Sequence, residues 1–253
     1  MSTDHVDPTP DTPDAPAVLL VHGWGASFAA TWERTGFTAL LADAGREVIG
    51  VDLLGHGSAP KPHDPAAYAD LTDRITQALP QGRSVDAIGF SLGALTLLRS
   101  AMDRPDRFRR LVLAGIGRNV FERDDSGTQR ILAALDQVMG DSVADDSDDD
   151  AEPDNVSRLF AQYAQQPGND IRALAAVLRR PPGAPFTPER LAAVTCPTLV
   201  VVGDRDFVYP ADALVEALPD ARAEVLRNVD HFATPESFGF IDAALEFLDA
   251  VPA

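Results

Sequence analysis

The chain has a single cysteine, Cys196, and a single lysine, Lys61, in 253 residues. One cysteine excludes an internal disulfide and any cysteine-based metal cluster. Preceding Pro197 and a strongly apolar run, it reads as a buried structural thiol rather than a nucleophile. Basic residues are scarce altogether: 21 Lys and Arg stand against 39 Asp and Glu, a formal net charge of −18. A surface of that sign repels nucleic-acid phosphates and anionic headgroups, so neither is an expected partner, and it favours solubility at high salt. No apolar run approaches the ~20 residues of a membrane span, and no basic segment followed by an apolar one opens the chain. A cytoplasmic protein is expected. The histidines His5, His22, His56, His63 and His231 include no pair at ligand spacing on one element, so neither a metal nor a cofactor is expected.

What the chain does have is a rhythm. After a Pro- and Asp-rich leader, residues 1–16, with almost nothing to bury, Ala17-Val18-Leu19-Leu20-Val21 is apolar at every position, as in a parallel strand covered on both faces. It ends in His22-Gly23-Trp24-Gly25. Further strands are expected at 47–52, 85–88, 110–114, 198–202 and 223–226, with helical segments between them, among them one over 68–79. Strands alternating with helices imply crossover connections and a parallel sheet with helices on both faces. The alternation breaks over 118–190, where helical segments near 128–139, 156–165 and 170–178 predict an all-helical insertion capping the sheet. The core is then 17–117 with 191–253. Between the first two of those helices runs Asp145-Asp146-Ser147-Asp148-Asp149-Asp150, which lacks the glycine and terminal glutamate of a calcium loop and reads as a solvated loop.

The third strand runs into Gly89-Phe90-Ser91-Leu92-Gly93 and then a helix-forming segment. In that strand-turn-helix context the serine sits at the tip of a strained turn, small neighbours let strand and helix approach, and free amides face any anion on its oxygen. The same pentapeptide is compatible with a plain strand-to-helix turn, so the rest of the chain must decide. A serine nucleophile needs a base, and the base an orienting acid. Asp206 follows the penultimate strand in Gly203-Asp204-Arg205-Asp206, and His231 follows the last in Asp230-His231-Phe232. Asp204 is the competing acid. Asp230 adjoins the histidine and suits a capping or surface role.

Five motifs in this order, His22 to Gly25, Asp52 to Ser58, the serine turn, Gly203 to Asp206 and Asp230-His231, resemble the α/β-hydrolase superfamily over nearly the whole chain after the leader. The resemblance implies an α/β-hydrolase fold, with Ser91 as nucleophile, His231 as base and Asp206 as its orienter. It also implies an oxyanion hole from the Trp24 and Leu92 amides. That superfamily's sheet usually opens with two strands before the His-Gly loop. Here only the leader stands there, so about six mostly parallel strands are expected, with an edge to be covered or charged. Serine in the turn argues against the dehalogenase and epoxide hydrolase branches. The motifs are most similar to small carboxylesterases of the pimeloyl-carrier-protein methyl esterase type, although Ala94 replaces a common third glycine and the acidic surface disfavours an acidic carrier protein. The expected activity is cleavage of a small-molecule ester or thioester through an acyl-serine. A carbon-carbon bond hydrolase of the ring-cleavage type, and a non-catalytic receptor or scaffold, are the alternatives. Phe121, Leu159, Phe160, Leu174 and Leu178 are candidate pocket lining, and Arg118, Arg172, Arg179 and Arg180 are candidate partners for a substrate carboxylate. Each of these residues could equally serve helix packing or solvation.

Overall fold

The computed structural model describes residues 15–122, 125–140 and 154–252. Most of the leader, and the Asp145 to Asp150 run, lie outside the described residues. Six strands, β1 (Val18–Val21), β2 (Val48–Val51), β3 (Val85–Phe90), β4 (Phe108–Ala114), β5 (Thr198–Gly203) and β6 (Ala221–Leu226), form one sheet in the order β2-β1-β3-β4-β5-β6. All five pairings are parallel. Successive residues of β1 go to opposite layers: Leu19 and Val21 join one core, Val18 and Leu20 the other, and all four are fully buried. That is why the run is apolar at every position.

The helices are α1 (Phe37–Asp43), α2 (Thr72–Ala78), α3 (Leu92–Asp103), α4 (Asp125–Met139), α5 (Asn155–Ala164), α6 (Ile171–Leu178), α7 (Pro188–Leu191), α8 (Asp212–Ala217) and α9 (Phe238–Phe247). Residues of α1 and α9 pack on one face, around the mutually touching rings of Trp32, Phe37 and Phe240. Residues of α2, α3, α4, α5, α6 and α8 contribute to the core on the other. The helices between β4 and β5 form a helical insertion. Two of them start on capping aspartates. Asp154 accepts from Ser157 N at 2.8 Å and Asp170 from Ala173 N at 3.1 Å, satisfying amides a helix start leaves unpaired.

Local boundaries differ from expectation by a few residues at several places, among them two that bear on the fold. The segment 68–79 is not one helix: a short turn over Pro65–Tyr68 precedes α2, because the Asp70 carboxylate accepts both the Thr72 amide and hydroxyl, at 2.8 and 2.7 Å. Strand β6 starts at Ala221 rather than Ala223. There Arg222 and Glu224 are exposed, so the edge of the sheet is charged.

The end of the sheet away from the catalytic motifs is tied by Asp86, which is fully buried in β3. Its carboxylate accepts from Arg46 and, at 3.1 Å, from Arg109 Nε. Arg46 also donates to Pro16 O at 2.7 Å and Leu248 O at 2.8 Å, joining the start of the described chain and its last helix to the sheet. Removing one member of a buried ion pair strands the other. Asp86→Leu should lower unfolding stability by about 3–5 kcal/mol in urea titrations. A loss below about 1 kcal/mol would show the pair to be dispensable.

Candidate active site

Ser91 lies between the last residue of β3 and the first of α3, with φ 51° and ψ −113°. A positive φ is costly for a residue with a Cβ and persists only where the surroundings impose it. Here they do. The Ser91 amide donates to Ala114 O at 2.8 Å, and its carbonyl accepts from Leu95 N at 3.0 Å. A Cβ on Gly89 would sit 2.7 Å from Ala94 N, and one on Gly93 would sit 2.4 Å from His22 O. Both flanking glycines are therefore required by the closeness of α3 to β3 and β1.

Three side chains from three strand ends meet above this turn. His231 Nε2 is 2.9 Å from Ser91 Oγ, and His231 Nδ1 is 3.0 and 2.9 Å from the two Asp206 carboxylate oxygens. Asp206 and His231 are buried. With Nδ1–H donating to the carboxylate, Nε2 is left to accept the serine O–H. Asp204 does not reach the imidazole: its carboxylate accepts from Asn228 N at 2.7 Å. Asp230 accepts from Ala233 N at 3.0 Å, the capping role expected of it. The Trp24 and Leu92 amides donate to no acceptor among the described residues.

Arg118 serves a different purpose from the substrate contact expected of it. Its Nε and Nη2 donate to Phe207 O at 3.2 and 2.9 Å, and its amide donates to Val208 O and Pro210 O, so it braces the loop that carries Asp206. Arg179 pairs with Asp136 at 2.7 Å and Arg180 donates to Val177 O at 2.6 Å. None of these three arginines, nor Arg172, lines the cavity at Ser91.

That cavity is about 40 Å³, and its lining includes Trp24, Phe90, Phe160, Phe232, Ser91 and His231, together with Tyr163, Gln166 and the exposed Arg34 and Glu236. Of the expected lining residues only Phe160 is there. Leu174 is fully buried in the core and Leu159 is exposed, while Phe121 and Leu178 pack against the core. Tyr163 was missed, although it lies three residues after Phe160 and so on the same face of α5. Arg34 and Glu236 carried no signal in an isolated sequence. The insertion is fastened over the loop after β1 by two hydrogen bonds, Trp24 Nε1 to Leu174 O at 3.2 Å and Asn169 Nδ2 to Gly25 O at 2.7 Å.

Comparison with known proteins gives this arrangement a family. A model described as the alpha/beta hydrolase family matches residues 18–249. The chain belongs to that family. It is 29% identical to a putative carbamate hydrolase RutD of Variovorax paradoxus, over 95% of this chain and 94% of the relative. It is 26% identical to a pimeloyl-[acyl-carrier protein] methyl ester esterase of Nitrosomonas europaea, over 94% of this chain and 97% of that one. Among solved structures, 2-hydroxy-6-oxo-6-phenylhexa-2,4-dienoate hydrolase of Rhodococcus sp. strain RHA1 shares the fold, with a TM-score of 0.66 and 22% identity over 94% of this chain and 91% of that chain. The protein is thus a hydrolase. No helix among the described residues is long and apolar enough to cross a membrane, and no group of three or more potential metal ligands is assembled there.

In this alpha/beta hydrolase the loops leaving β1 and β2 are locked together beside the serine turn. Asp52 accepts from Phe28 N, Ser58 N and Ser58 Oγ at 2.8 to 2.9 Å. Burial works to raise its carboxyl, but these hydrogen bonds outweigh it and hold the group below the usual carboxylate range. His22 Nε2 accepts from Leu53 N at 3.1 Å, and the His22 and His56 rings lie 5.1 Å apart. Both hold loop backbone, and neither lines the cavity. Burial pushes His22 down, and burial pushes His56 down to about 3. Cys196 goes the other way, its buried thiol raised to about 11, which suits an unreactive packing role.

The two histidines have a consequence for stability. Below about pH 6.5 the unfolded chain protonates both, whereas folded His56 stays neutral until about pH 3, so stability falls as the pH drops through that window. Each such histidine contributes a slope of roughly 1.4 kcal/mol per pH unit. In urea unfolding between pH 6 and 4.5, His56→Asn should show a slope shallower by about that amount. An unchanged slope would mean that His56 takes up its proton in the folded state.

Proposed function

We propose that this hydrolase cleaves small carboxylic esters or thioesters through an acyl-serine intermediate, with Ser91 as nucleophile. The observation that carries the reading is the unbroken line from Ser91 Oγ through the His231 ring to both Asp206 oxygens, every link 2.9 to 3.0 Å. Ser91 Oγ attacks the ester carbonyl carbon while its proton passes to His231 Nε2. Asp206 holds the ring in the tautomer that can accept that proton and stabilises the resulting imidazolium. The carbonyl oxygen becomes an oxyanion beside the Trp24 and Leu92 amides. Leu92 opens α3, so its amide adds the positive end of the helix dipole. As the tetrahedral adduct collapses, the leaving alcohol or thiol takes the proton from His231. A water then gives its proton to Nε2 and attacks the acyl-serine; the second adduct releases the acid as Ser91 Oγ takes the proton back from Nε2. No cofactor enters this cycle.

Residues 118–190 act as the cap in this reading, supported by Phe160 of α5 in the cavity wall. A cavity of about 40 Å³ between aromatic walls suits a compact acyl group. Hydrolysis of p-nitrophenyl esters from acetate to decanoate should therefore favour acetate and butyrate. Ser91→Ala should lower kcat by about 10⁴-fold or more and Asp206→Asn by about 10³-fold to 10⁴-fold, with Asp204→Asn within about twofold of wild type. Collapse on Asp204→Asn, or full activity in Ser91→Ala, would contradict the assignment.

A further inference from the structure

The acid and the serine hold only the two nitrogens of His231; the faces of the ring are held by something else. Phe207 lies with its centroid 4.5 Å from the imidazole and tilted 38° to it, and Phe90 lies at 5.0 Å with the same 38° tilt. Phe232 meets the ring edge-on at 5.6 Å. Phe90 and Phe232 have other duties, since both line the cavity and Phe90 is also part of a core. Phe207 has none: it belongs to neither core and does not line the cavity, and yet it is a phenyl ring left 39% exposed. Its backbone is nevertheless fixed, because Arg118 donates two hydrogen bonds to its carbonyl. The Asp206 carboxylate accepts from Val208 N at 3.0 Å, so acid and ring are presented by one rigid turn. On its far side Phe207 approaches Phe160 of the insertion, 6.2 Å between centroids.

We propose that Phe207 is a positioning residue for His231, holding the imidazole plane in line with Ser91 Oγ and lending its π-face to the imidazolium formed during the reaction. The inference rests on the Ser91, His231 and Asp206 reading above. Ring contacts of this geometry are worth enough to matter to a side chain that must not rotate between steps, and an aromatic face is attractive to a ring that becomes cationic. Leucine fills similar space without a π-system; tyrosine restores one.

The test compares wild type, Phe207→Leu, Phe207→Tyr and Ser91→Ala on p-nitrophenyl acetate, with thermal melts alongside. Phe207→Leu should lower kcat about tenfold and leave KM within about twofold, because the ring touches the base and not the substrate. Phe207→Tyr should recover kcat to within about threefold of wild type. The melting temperature of Phe207→Leu should lie close to wild type, since the ring is in neither core. An unchanged kcat in Phe207→Leu, a change in KM alone, or an equal loss in the leucine and tyrosine variants would overturn the positioning role while leaving the serine mechanism intact. No ester hydrolysis by wild type, or equal hydrolysis by Ser91→Ala, would instead overturn the serine reading, and this inference with it.

Discussion

The packing of α3 against β1 and β3 is the constraint on which the site depends. With Gly93 against the carbonyl of His22, and Gly89 against the backbone of Ala94, there is room for hydrogen at both positions and for nothing larger. That closeness goes with a Ser91 φ of 51°, and backbone hydrogen bonds hold the residue's amide and carbonyl in place. The strain at one residue is sustained by a parallel sheet whose central strands are buried on both sides. It lifts one hydroxyl clear of the backbone and points it at the edge where the loops after β5 and β6 deliver an acid and an imidazole.

Around that hydroxyl the protein separates two kinds of polar group. Asp52, His22 and His56 are spent on holding loops together, and burial lowers the pKa of both imidazoles. Asp206 and His231 are also buried, but each has its partner in place, and the imidazole is bracketed by aromatic rings. The cavity wall beside Ser91 comes from both parts of the chain: Trp24, Phe90 and Phe232 from the sheet and its loops, Phe160 and Tyr163 from the insertion. Hydrogen bonds from Trp24 and Asn169 then fix how far the insertion can stand off.

Much of this was legible in the sequence because it rests on chain-local chemistry. Apolar runs such as 17–21 announce doubly covered strands, and the expected six strands are those found in one sheet among the described residues. The glycines at 89 and 93 announce the tight turn, whereas Asp204 and Asp206 follow the same strand and only the family resemblance favoured Asp206. The arginines and the cavity wall were not legible. Whether Arg118 meets a substrate or a carbonyl of the acid loop, and whether Leu174 lines a pocket or a core, depends on how the insertion is rotated about its own helices. Amphipathic periodicity gives each helix a buried face without saying what the face is buried against. The break at Asp70 likewise turned on one carboxylate preferring Thr72 to solvent.

The proposed role of Ser91 as the activated nucleophile can be read by treating the protein with a fluorophosphonate and mapping the adduct by mass spectrometry in wild type and Asp206→Asn. One adduct is expected, on Ser91, formed far more slowly when Asp206 cannot hold the base. An adduct on another residue, or none on a folded protein, would overturn that role.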